Sequence, residues 1–497
     1  MGLDLVLIHP SSRKQVYQGL ADTLAAVEPP VWAGLLATYA RKKGFSVAIF
    51  DGDADQLDGE AMASRVAELN PLLVAIVVYG HQPSASTQSM PGASAAAAAI
   101  RRREPERKVL MLGGHVAALP ERTLREEAVD FVCGGEGPVT MVELLAVLKA
   151  GEIDLSKVRG LYWRERGLIR HSAAAPLVQN LDEEMPAVAW DLLPMAKYRA
   201  HNWHCFGDLP RQPYASIYTT LGCPYKCTFC CIQAPFKSGE EALGHSATSN
   251  SYRRWSPEAV IAQIDTLVRE YGVRNLKVAD EMFVLHPKHV LGICDAIIDR
   301  GYDLNIWAYA RVDTVRESMI DKLRRAGFRW LALGIEAASE HVRDEVHKGF
   351  GQAEIRRTIF ALRAAGIRVI GNFIFGLPED DAATMQATLD LALDLECDFV
   401  NFYSTMAYPG SPLYKTAVEH GWALPESWSG YSQHSIDTLP LPTKHLPARD
   451  VLRFRDQAFQ RYFSDERVLT FMAERFGVAN TDHIRDMTAK KLERRYA

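Results

Sequence analysis

The chain has 497 residues, 48% of them hydrophobic and 24% charged, which is too long for one compact core and predicts two or three domains. Its formal net charge of -5 lacks the basic excess that binding to a phosphate backbone needs, so no nucleic-acid partner is expected. The sequence shows neither an export signal nor about 18 uninterrupted apolar residues, and we therefore expect a cytoplasmic protein with no transmembrane segment.

The first 150 residues alternate short apolar runs with amphipathic stretches. The apolar runs lie near residues 4–8, 46–51, 72–79, 108–113 and 130–134. A continuously apolar run such as 72–78 is typical of a strand that helices cover on both faces. The pattern predicts an α/β fold that begins with a doubly wound, five-stranded parallel sheet of Rossmann-like type over residues 1–150.

Glycine-rich segments follow three of these strands, at the edge where a parallel sheet binds its ligands. They are Tyr79-Gly80-His81, Gly113-Gly114-His115 and Gly134-Gly135-Glu136-Gly137. Missing side chains let a bulky cofactor approach the backbone, although glycine after a strand is also ordinary turn chemistry.

Residues 151–213 are predicted to form a connector with a hairpin around Arg166-Gly167. Strand-helix alternation then resumes, with strands near 216–221, 275–279, 304–310, 329–335, 368–375 and 398–404. Six such units predict a partial parallel β/α barrel over residues 214–408. Residues 409–497 are predicted to form a helical C-terminal cap.

Three of the eight cysteines follow the first barrel strand. Cys223, Cys227 and Cys230 supply three thiolates on one loop, enough for three irons of a 4Fe-4S cluster, and they leave the fourth iron open. A structural zinc site is the alternative, but such sites use four closed ligands and no second cysteine pair lies nearby. Cys231 is expected to be a spare thiol, because adjacent cysteines rarely bind one cubane.

With an aromatic residue before its last cysteine, the C-x3-C-x2-C segment resembles the radical S-adenosylmethionine superfamily. The resemblance continues through residues 277–283, 309–313, 333–336, 371–379 and 408–412. The glycine-rich segments of the first 150 residues resemble the cobalamin-binding domain of that family's class B enzymes. The D-x-H-x-x-G motif is absent, so no histidine of that motif is available to bind cobalt from below.

The resemblance implies three cofactors: a 4Fe-4S cluster, S-adenosylmethionine and cobalamin. The barrel residues that it assigns to cofactor binding are Phe229, Asp280, Arg311, Glu336, Gly371 and Gly376. Glu336 is expected to accept a hydrogen bond from the amino group or ribose, and Arg311 to pair with the methionine carboxylate. The residues assigned to cobalamin are Tyr79, His81, Gly113, Gly114, Gly134, Gly135, Glu136 and Gly137. Glu281 and Tyr309 are predicted to be catalytic, although any of these acids could instead cap a helix.

The implied function is methylation of an unactivated carbon in a small molecule or natural product, with flavodoxin or ferredoxin as the electron donor. The alternative is a cobalamin-dependent oxidative cyclase or rearrangement enzyme, resembling the anaerobic magnesium-protoporphyrin monomethyl ester cyclase. A non-catalytic cobalamin or redox sensor would be a different class, and no output module for it is found in the sequence.

Overall fold

Two sheets, the first mainly parallel and the second wholly parallel, organise the protein in a computed structural model that describes residues 2–20, 25–151, 154–207 and 209–497. The first sheet has the strand order β2-β1-β3-β4-β5-β6-β7. Its strands are β1 (Leu5–His9), β2 (Val47–Asp51), β3 (Leu73–Val78), β4 (Val109–Gly113), β5 (Phe131–Cys133), β6 (Leu161–Glu165) and β7 (Leu168–His171). The first five strands are parallel, as the sequence predicts.

The predicted hairpin at residues 166–167 is present, and it extends this sheet. Strands β6 and β7 add to β5 in antiparallel pairing, which makes the sheet seven-stranded where the sequence predicts five strands. Arg166 and Gly167 both have positive φ, of 50° and 80°, which suits a two-residue hairpin turn.

Helices cover both faces of the first sheet. They are α1 (Arg13–Tyr17), α2 (Val31–Lys42), α3 (Gly59–Leu69), α4 (Ala85–Gln88), α5 (Met90–Arg103), α6 (Gly114–Ala118), α7 (Pro120–Glu126) and α8 (Pro138–Ala150). Leu5 and Leu7 face α2 and α8, whereas Val6 and Ile8 face α3 and α5. This alternation explains why the strands are apolar at every position.

The second sheet is a six-stranded parallel partial barrel with the order β15-β14-β13-β12-β11-β8. A short helix, α9 (Leu181–Glu184), precedes it in the chain. Its strands are β8 (Tyr214–Ile217), β11 (Asn275–Val278), β12 (Asn305–Arg311), β13 (Phe328–Glu336), β14 (Arg368–Phe375) and β15 (Phe399–Ser404); β9 (Thr220–Leu221) and β10 (Arg253–Arg254) form a small separate ribbon. The six predicted barrel strands are confirmed.

Helices pack around the barrel and follow it at the C-terminus. Around the strands lie α10 (Lys237–Ala242), α11 (Pro257–Tyr271), α12 (Pro287–Asp299), α13 (Glu317–Arg325), α14 (Glu340–Asp344), α15 (Gln352–Ala364) and α16 (Ala382–Leu395). The C-terminal helices are α17 (Pro412–Glu419), α18 (Ala448–Phe463), α19 (Glu466–Phe476) and α20 (Val478–Ala489). Helix α18 packs along β14 and β15 and covers the open side of the barrel. Across the described residues, no helix combines the length and apolar character needed to traverse a bilayer.

Candidate active site

A cavity of about 1270 Å³ lies between the two sheets and the C-terminal helices. The carboxyl ends of the strands face it from both sides. In the first sheet, His9 ends β1 and His81 follows β3. In the second, Glu281, Arg311 and Glu336 stand at or after the ends of β11, β12 and β13. The fold therefore brings ligand-binding edges of two parallel sheets to one space.

The cysteine loop enters this cavity after β9. Gly222 has φ +86°, and a β-carbon there would collide with the Ser251 carbonyl oxygen. The Cys223 amide donates to Gln233 Oε1 at 3.1 Å, and Gln233 Nε2 donates in turn to Glu240 at 2.8 Å. A glycine turn and a buried polar network thus fix where the loop begins.

The three predicted ligands, Cys223, Cys227 and Cys230, all line the cavity. All three are free thiols. Burial raises the pKa of Cys223 to about 12 and that of Cys230 well above its usual value. Metal binding would therefore have to displace the thiol protons.

Arg311 lies beside the cysteine loop. Asp313 accepts from its Nε and Nη2 at 2.9 and 3.0 Å, and the guanidinium lies 4.0 Å from the centroid of the Tyr225 ring. Its Nη1 points to Cys227, with 3.6 Å between nitrogen and sulfur. The side chain is therefore held rigidly, with one donor edge directed at the predicted cluster.

Glu336 and Lys348 form a buried ion pair on the cavity wall, with Oε1 and Nζ 2.7 Å apart. Glu336 has φ +67°, which is rare for a residue with a side chain and turns the end of β13 toward the cavity. A β-carbon on Gly334 would lie 2.7 Å from Glu336 Oε1 and 2.9 Å from Lys348 Nζ, so glycine makes room for the pair. Burial alone would lower the pKa of Lys348, but Glu336 and Cys227 raise it.

The two adjacent acids after β11 face different surroundings. Glu281 lines the cavity, and its carboxylate makes no hydrogen bond or ion pair with another of the described residues. Burial, with a contribution from Asp280, raises the pKa of Glu281 to about 8. Asp280 has no exposed surface and accepts from the Thr219 amide and hydroxyl at 2.6 and 2.5 Å; its assignment to cofactor binding stays a prediction.

Tyr309, the other predicted catalytic residue, lines the cavity on β12. Its ring is 4.9 Å from that of Trp307, and Lys277 Nζ lies 5.7 Å from the Tyr309 ring centroid. Burial raises the pKa of Tyr309 well above its usual value, so the phenol is neutral.

Phe229 lines the cavity, whereas the two predicted glycines of β14 and its following turn do not. A β-carbon on Gly371 would meet Phe373 and Cys397 on the opposite side of the strand, while its neighbours Ile370 and Asn372 face the cavity. Gly376 is packed against Val451 of α18. Both glycines allow close packing, and their assignment to cofactor binding stays a prediction.

His81 lines the cavity, but the other predicted cobalamin residue after β3 does not. Tyr79 stacks on Trp32 with ring centroids 4.2 Å apart, and its hydroxyl donates to the Glu136 carbonyl at 2.9 Å. Tyr79 is therefore packed within the protein, and its assignment to cobalamin stays a prediction.

The remaining glycine-rich segments pack against protein. Gly113 has φ +146° and touches the Val78 backbone. For the other four glycines, the nearest neighbour of an added β-carbon is also a protein side chain. These neighbours are Ser86 for Gly114, Tyr162 for Gly134, Ser238 for Gly135 and Leu112 for Gly137. Glu136 accepts from Arg253 at 2.6 and 3.2 Å and from the Val178 amide at 3.0 Å. These residues contact neighbouring parts of the chain, and their assignment to cobalamin stays a prediction.

Sequence reasoning missed Lys348, Asp313, Glu28 and Lys277 as cavity residues or their partners. Lys277 pairs with Glu28 at 3.1 Å, across 249 residues of chain. Lys277 could have been found from strand alternation, since it lies one residue before the end of β11 and lines the cavity. Nothing in the local sequence marks Glu28.

Two family models match the chain. Residues 217–392 match the Radical SAM superfamily and residues 17–145 match the B12 binding domain. An uncharacterised methyltransferase of Pyrococcus horikoshii is 28% identical over 94% of this chain and 94% of its own length.

Other relatives share the same layout. The anaerobic magnesium-protoporphyrin IX monomethyl ester cyclase of Cereibacter sphaeroides is 27% identical over 83% of this chain and 63% of its own length. The solved radical S-adenosylmethionine methyltransferase TsrM from Kitasatospora setae superposes with a TM-score of 0.62 at 18% identity, covering 84% of this chain and 75% of its own. At that identity the likeness concerns the fold.

Proposed function

Since this chain belongs to the radical S-adenosylmethionine enzymes that carry a B12-binding domain, we propose that it is a C-methyltransferase acting on a small molecule. The observation that carries the proposal is the shared cavity, which three cysteine thiols and the carboxyl ends of both sheets line together. Transfer between two cofactors needs them to be adjacent, and this arrangement would make them so.

Cys223, Cys227 and Cys230 would hold the 4Fe-4S cluster. When bound, the cluster supplies the electron that cleaves S-adenosylmethionine to a radical able to remove hydrogen from an unactivated carbon. Three free thiols on one loop fit this group, and the open fourth iron is where S-adenosylmethionine would be positioned.

Arg311, Glu336 and Lys348 would bind the polar end of S-adenosylmethionine. The Nη1 edge of Arg311, which points to Cys227, suits a carboxylate bound beside the cluster, because Asp313 already holds the opposite edge of the guanidinium. Glu336 and Lys348 offer an acceptor and a donor side by side, which matches an amino group and a carboxylate or ribose hydroxyls.

His9, Asp53 and His81 would contact cobalamin, which carries a transferable methyl group when bound. All three line the cavity at the carboxyl ends of the first sheet. His9 Nδ1, Asp53 Oδ1 and His81 Nδ1 are buried and lack a hydrogen-bond partner among the described residues, which is costly unless a polar ligand supplies one. These residues therefore fit a large polar cofactor.

Methylation and oxidative cyclisation differ in their products. A methylase uses S-adenosylmethionine both as methyl donor and as radical source, so S-adenosylhomocysteine and 5'-deoxyadenosine form in about equal amounts. We expect that ratio from the reduced, cofactor-loaded protein with its substrate. 5'-Deoxyadenosine without S-adenosylhomocysteine would replace methylation by the cyclase alternative, which the cyclase relative of Cereibacter sphaeroides keeps open.

The proposal implies a cytoplasmic location. Support for this location comes from the eight cysteines, which are all free and suit a reducing compartment. A flavodoxin or ferredoxin would supply the electron that reduces the cluster. Reduction of the cluster by a purified flavodoxin, followed by its spectrum, would test the electron donor.

A further inference from the structure

The barrel encloses open space below the cysteine loop. Register pairs Arg311, Gly334, Asn372 and Asn401 in one row across β12 to β15, and Tyr309, Ala332, Ile370 and Phe399 in the next row down. All eight residues line the cavity. The interiors of closed β/α barrels are normally filled by layers of bulky side chains. The Glu336–Lys348 pair occupies the space beside Gly334, whereas the small side chain of Ala332 leaves the row below it open to the cavity.

We call this space the lumen chamber and define it by its wall residues. They are Glu28, Trp203, Lys277, Trp307, Tyr309, Ala332, Asn372, Phe399 and Asn401. The end farthest from the cysteines is aromatic. The Trp203 ring lies 5.1 Å from that of Trp307 and 6.3 Å from that of Phe399. Aromatic walls of this kind bind planar, apolar groups.

The charges of the lumen chamber compensate one another. Lys277 Nζ lies 3.1 and 3.4 Å from the Glu28 carboxylate oxygens, and the Tyr214 hydroxyl donates to Glu28 at 2.6 Å. The Lys277 and Glu28 side chains are only 3% and 17% exposed. Burial lowers the pKa of His81 and His201 beside this pair to about 4, so both imidazoles are neutral at pH 7. A charged ligand would lose its hydration here and find both partners already engaged.

Hydrogen-bonding capacity remains on the opposite wall. Asn401 Nδ2 donates to Asn372 Oδ1 at 2.9 Å, and Asn372 Nδ2 donates to the Leu333 carbonyl at 3.2 Å. Within the described ranges, Asn401 Oδ1 and the Tyr309 hydroxyl make no hydrogen bond. The chamber therefore offers an acceptor and a hydroxyl to an uncharged polar group.

We propose that the lumen chamber is the substrate site and that it selects an uncharged, planar, largely apolar molecule bearing one neutral hydrogen-bonding group, with the Glu28–Lys277 pair excluding charged analogues. This inference rests on the proposed function, since it names the substrate class of that site. Ala332 lines the chamber with a small side chain, so a larger side chain there would extend into the space that the substrate needs.

Three naphthalene probes test the proposal on the protein loaded with cluster and cobalamin. They are 2-naphthamide, 2-naphthoate and 2-naphthylmethylamine, which share one ring system and are neutral, anionic and cationic at pH 7. Anaerobic equilibrium dialysis measures binding without turnover. We expect 2-naphthamide to bind at least about tenfold more tightly than either charged probe. Each charged probe would lose its hydration in the chamber without finding a free ionic partner, which weakens its binding.

Two variants separate charge from shape. Glu28→Gln keeps the shape and the Tyr214 contact but leaves Lys277 uncompensated, so 2-naphthoate should gain about tenfold relative to 2-naphthamide. Ala332→Leu should weaken all three probes. As a matched control, Glu143→Gln removes a surface partner of Arg159 and should leave all three affinities unchanged.

The proposal is overturned if the charged probes bind the unmodified protein as well as 2-naphthamide does. It is also overturned if Glu28→Gln leaves the probe ratio unchanged, or if Ala332→Leu binds all three probes normally. Because dialysis needs no turnover, its outcome is independent of whether S-adenosylhomocysteine is formed. Failure of the methyltransferase proposal and failure of this inference are therefore distinguishable.

Discussion

Replacing Glu136 by glutamine tests whether this residue holds the two halves of the protein together or binds a cofactor. The Glu136 carboxylate accepts from both Arg253 terminal nitrogens and from the Val178 amide. The Glu136 and Arg253 side chains are only 3% and 9% exposed. Solvent therefore screens the pair little, and removing one partner leaves a buried cation without compensation.

The expected loss is about 3 to 5 kcal/mol, the usual cost of breaking a buried ion pair from one side. For a unit the size of the N-terminal domain, this corresponds to a fall of roughly 6 to 20 °C in the unfolding midpoint. The double variant Glu136→Gln with Arg253→Met should recover most of the loss, because no unpaired charge remains. Arg41→Met, which breaks the exposed pair with Asp191, is the control and should cost no more than about 1 kcal/mol.

Anaerobic thermal unfolding measures the midpoint, and visible absorbance after gel filtration measures the cobalamin that the protein retains. Below its lowered midpoint, the Glu136→Gln protein should retain cobalamin as the unmodified protein does. Loss of cobalamin with an unchanged midpoint would refute the structural role and support Glu136 as a cofactor contact.

Further predictions concern the cavity. Cys231→Ala should keep about four irons per chain on anaerobic reconstitution, whereas alanine at any of the three predicted cluster cysteines should abolish loading, as iron analysis would show. Glu336→Gln and Lys348→Met should each depress 5'-deoxyadenosine formation at least about tenfold and leave cobalamin retention intact, since both belong to the barrel. His81→Ala should instead lower cobalamin retention, and an unchanged retained fraction would remove it from the cobalamin site. Glu281 ionises near pH 8 in the folded state against an ordinary value of 4.5, so its ionisation lowers stability progressively as pH rises from about 4.5 to 8. Glu281→Gln should flatten that decline in a series of unfolding midpoints, and an unchanged slope would contradict the raised pKa.

Strands and cluster cysteines are predictable because their signals are local. A run such as Leu73–Val78 is apolar at every position, which only a strand covered on both faces requires. The spacing of the three cysteines places them on one loop whatever the rest of the fold does. Glu336 and Arg311 also follow from sequence, since strand ends in a parallel barrel meet at one edge.

The orientation of side chains at those edges is harder to predict. Asp280 and Glu281 are adjacent, yet one is bonded to Thr219 and the other lines the cavity. On β14, likewise, Gly371 packs against protein whereas its neighbour Asn372 lines the cavity. Successive residues on a strand face opposite sides, so an error of one position exchanges a ligand contact for a packing contact.

The contacts between the two halves of the protein could not be predicted from the sequence. Glu136 pairs with Arg253 and Glu28 with Lys277, and in each case the partners lie more than a hundred residues apart. Both pairs are buried between the first sheet and the barrel, so separating the halves would leave four charges uncompensated. The two ion pairs therefore help to hold the first sheet against the barrel, together with the apolar core that the two halves share.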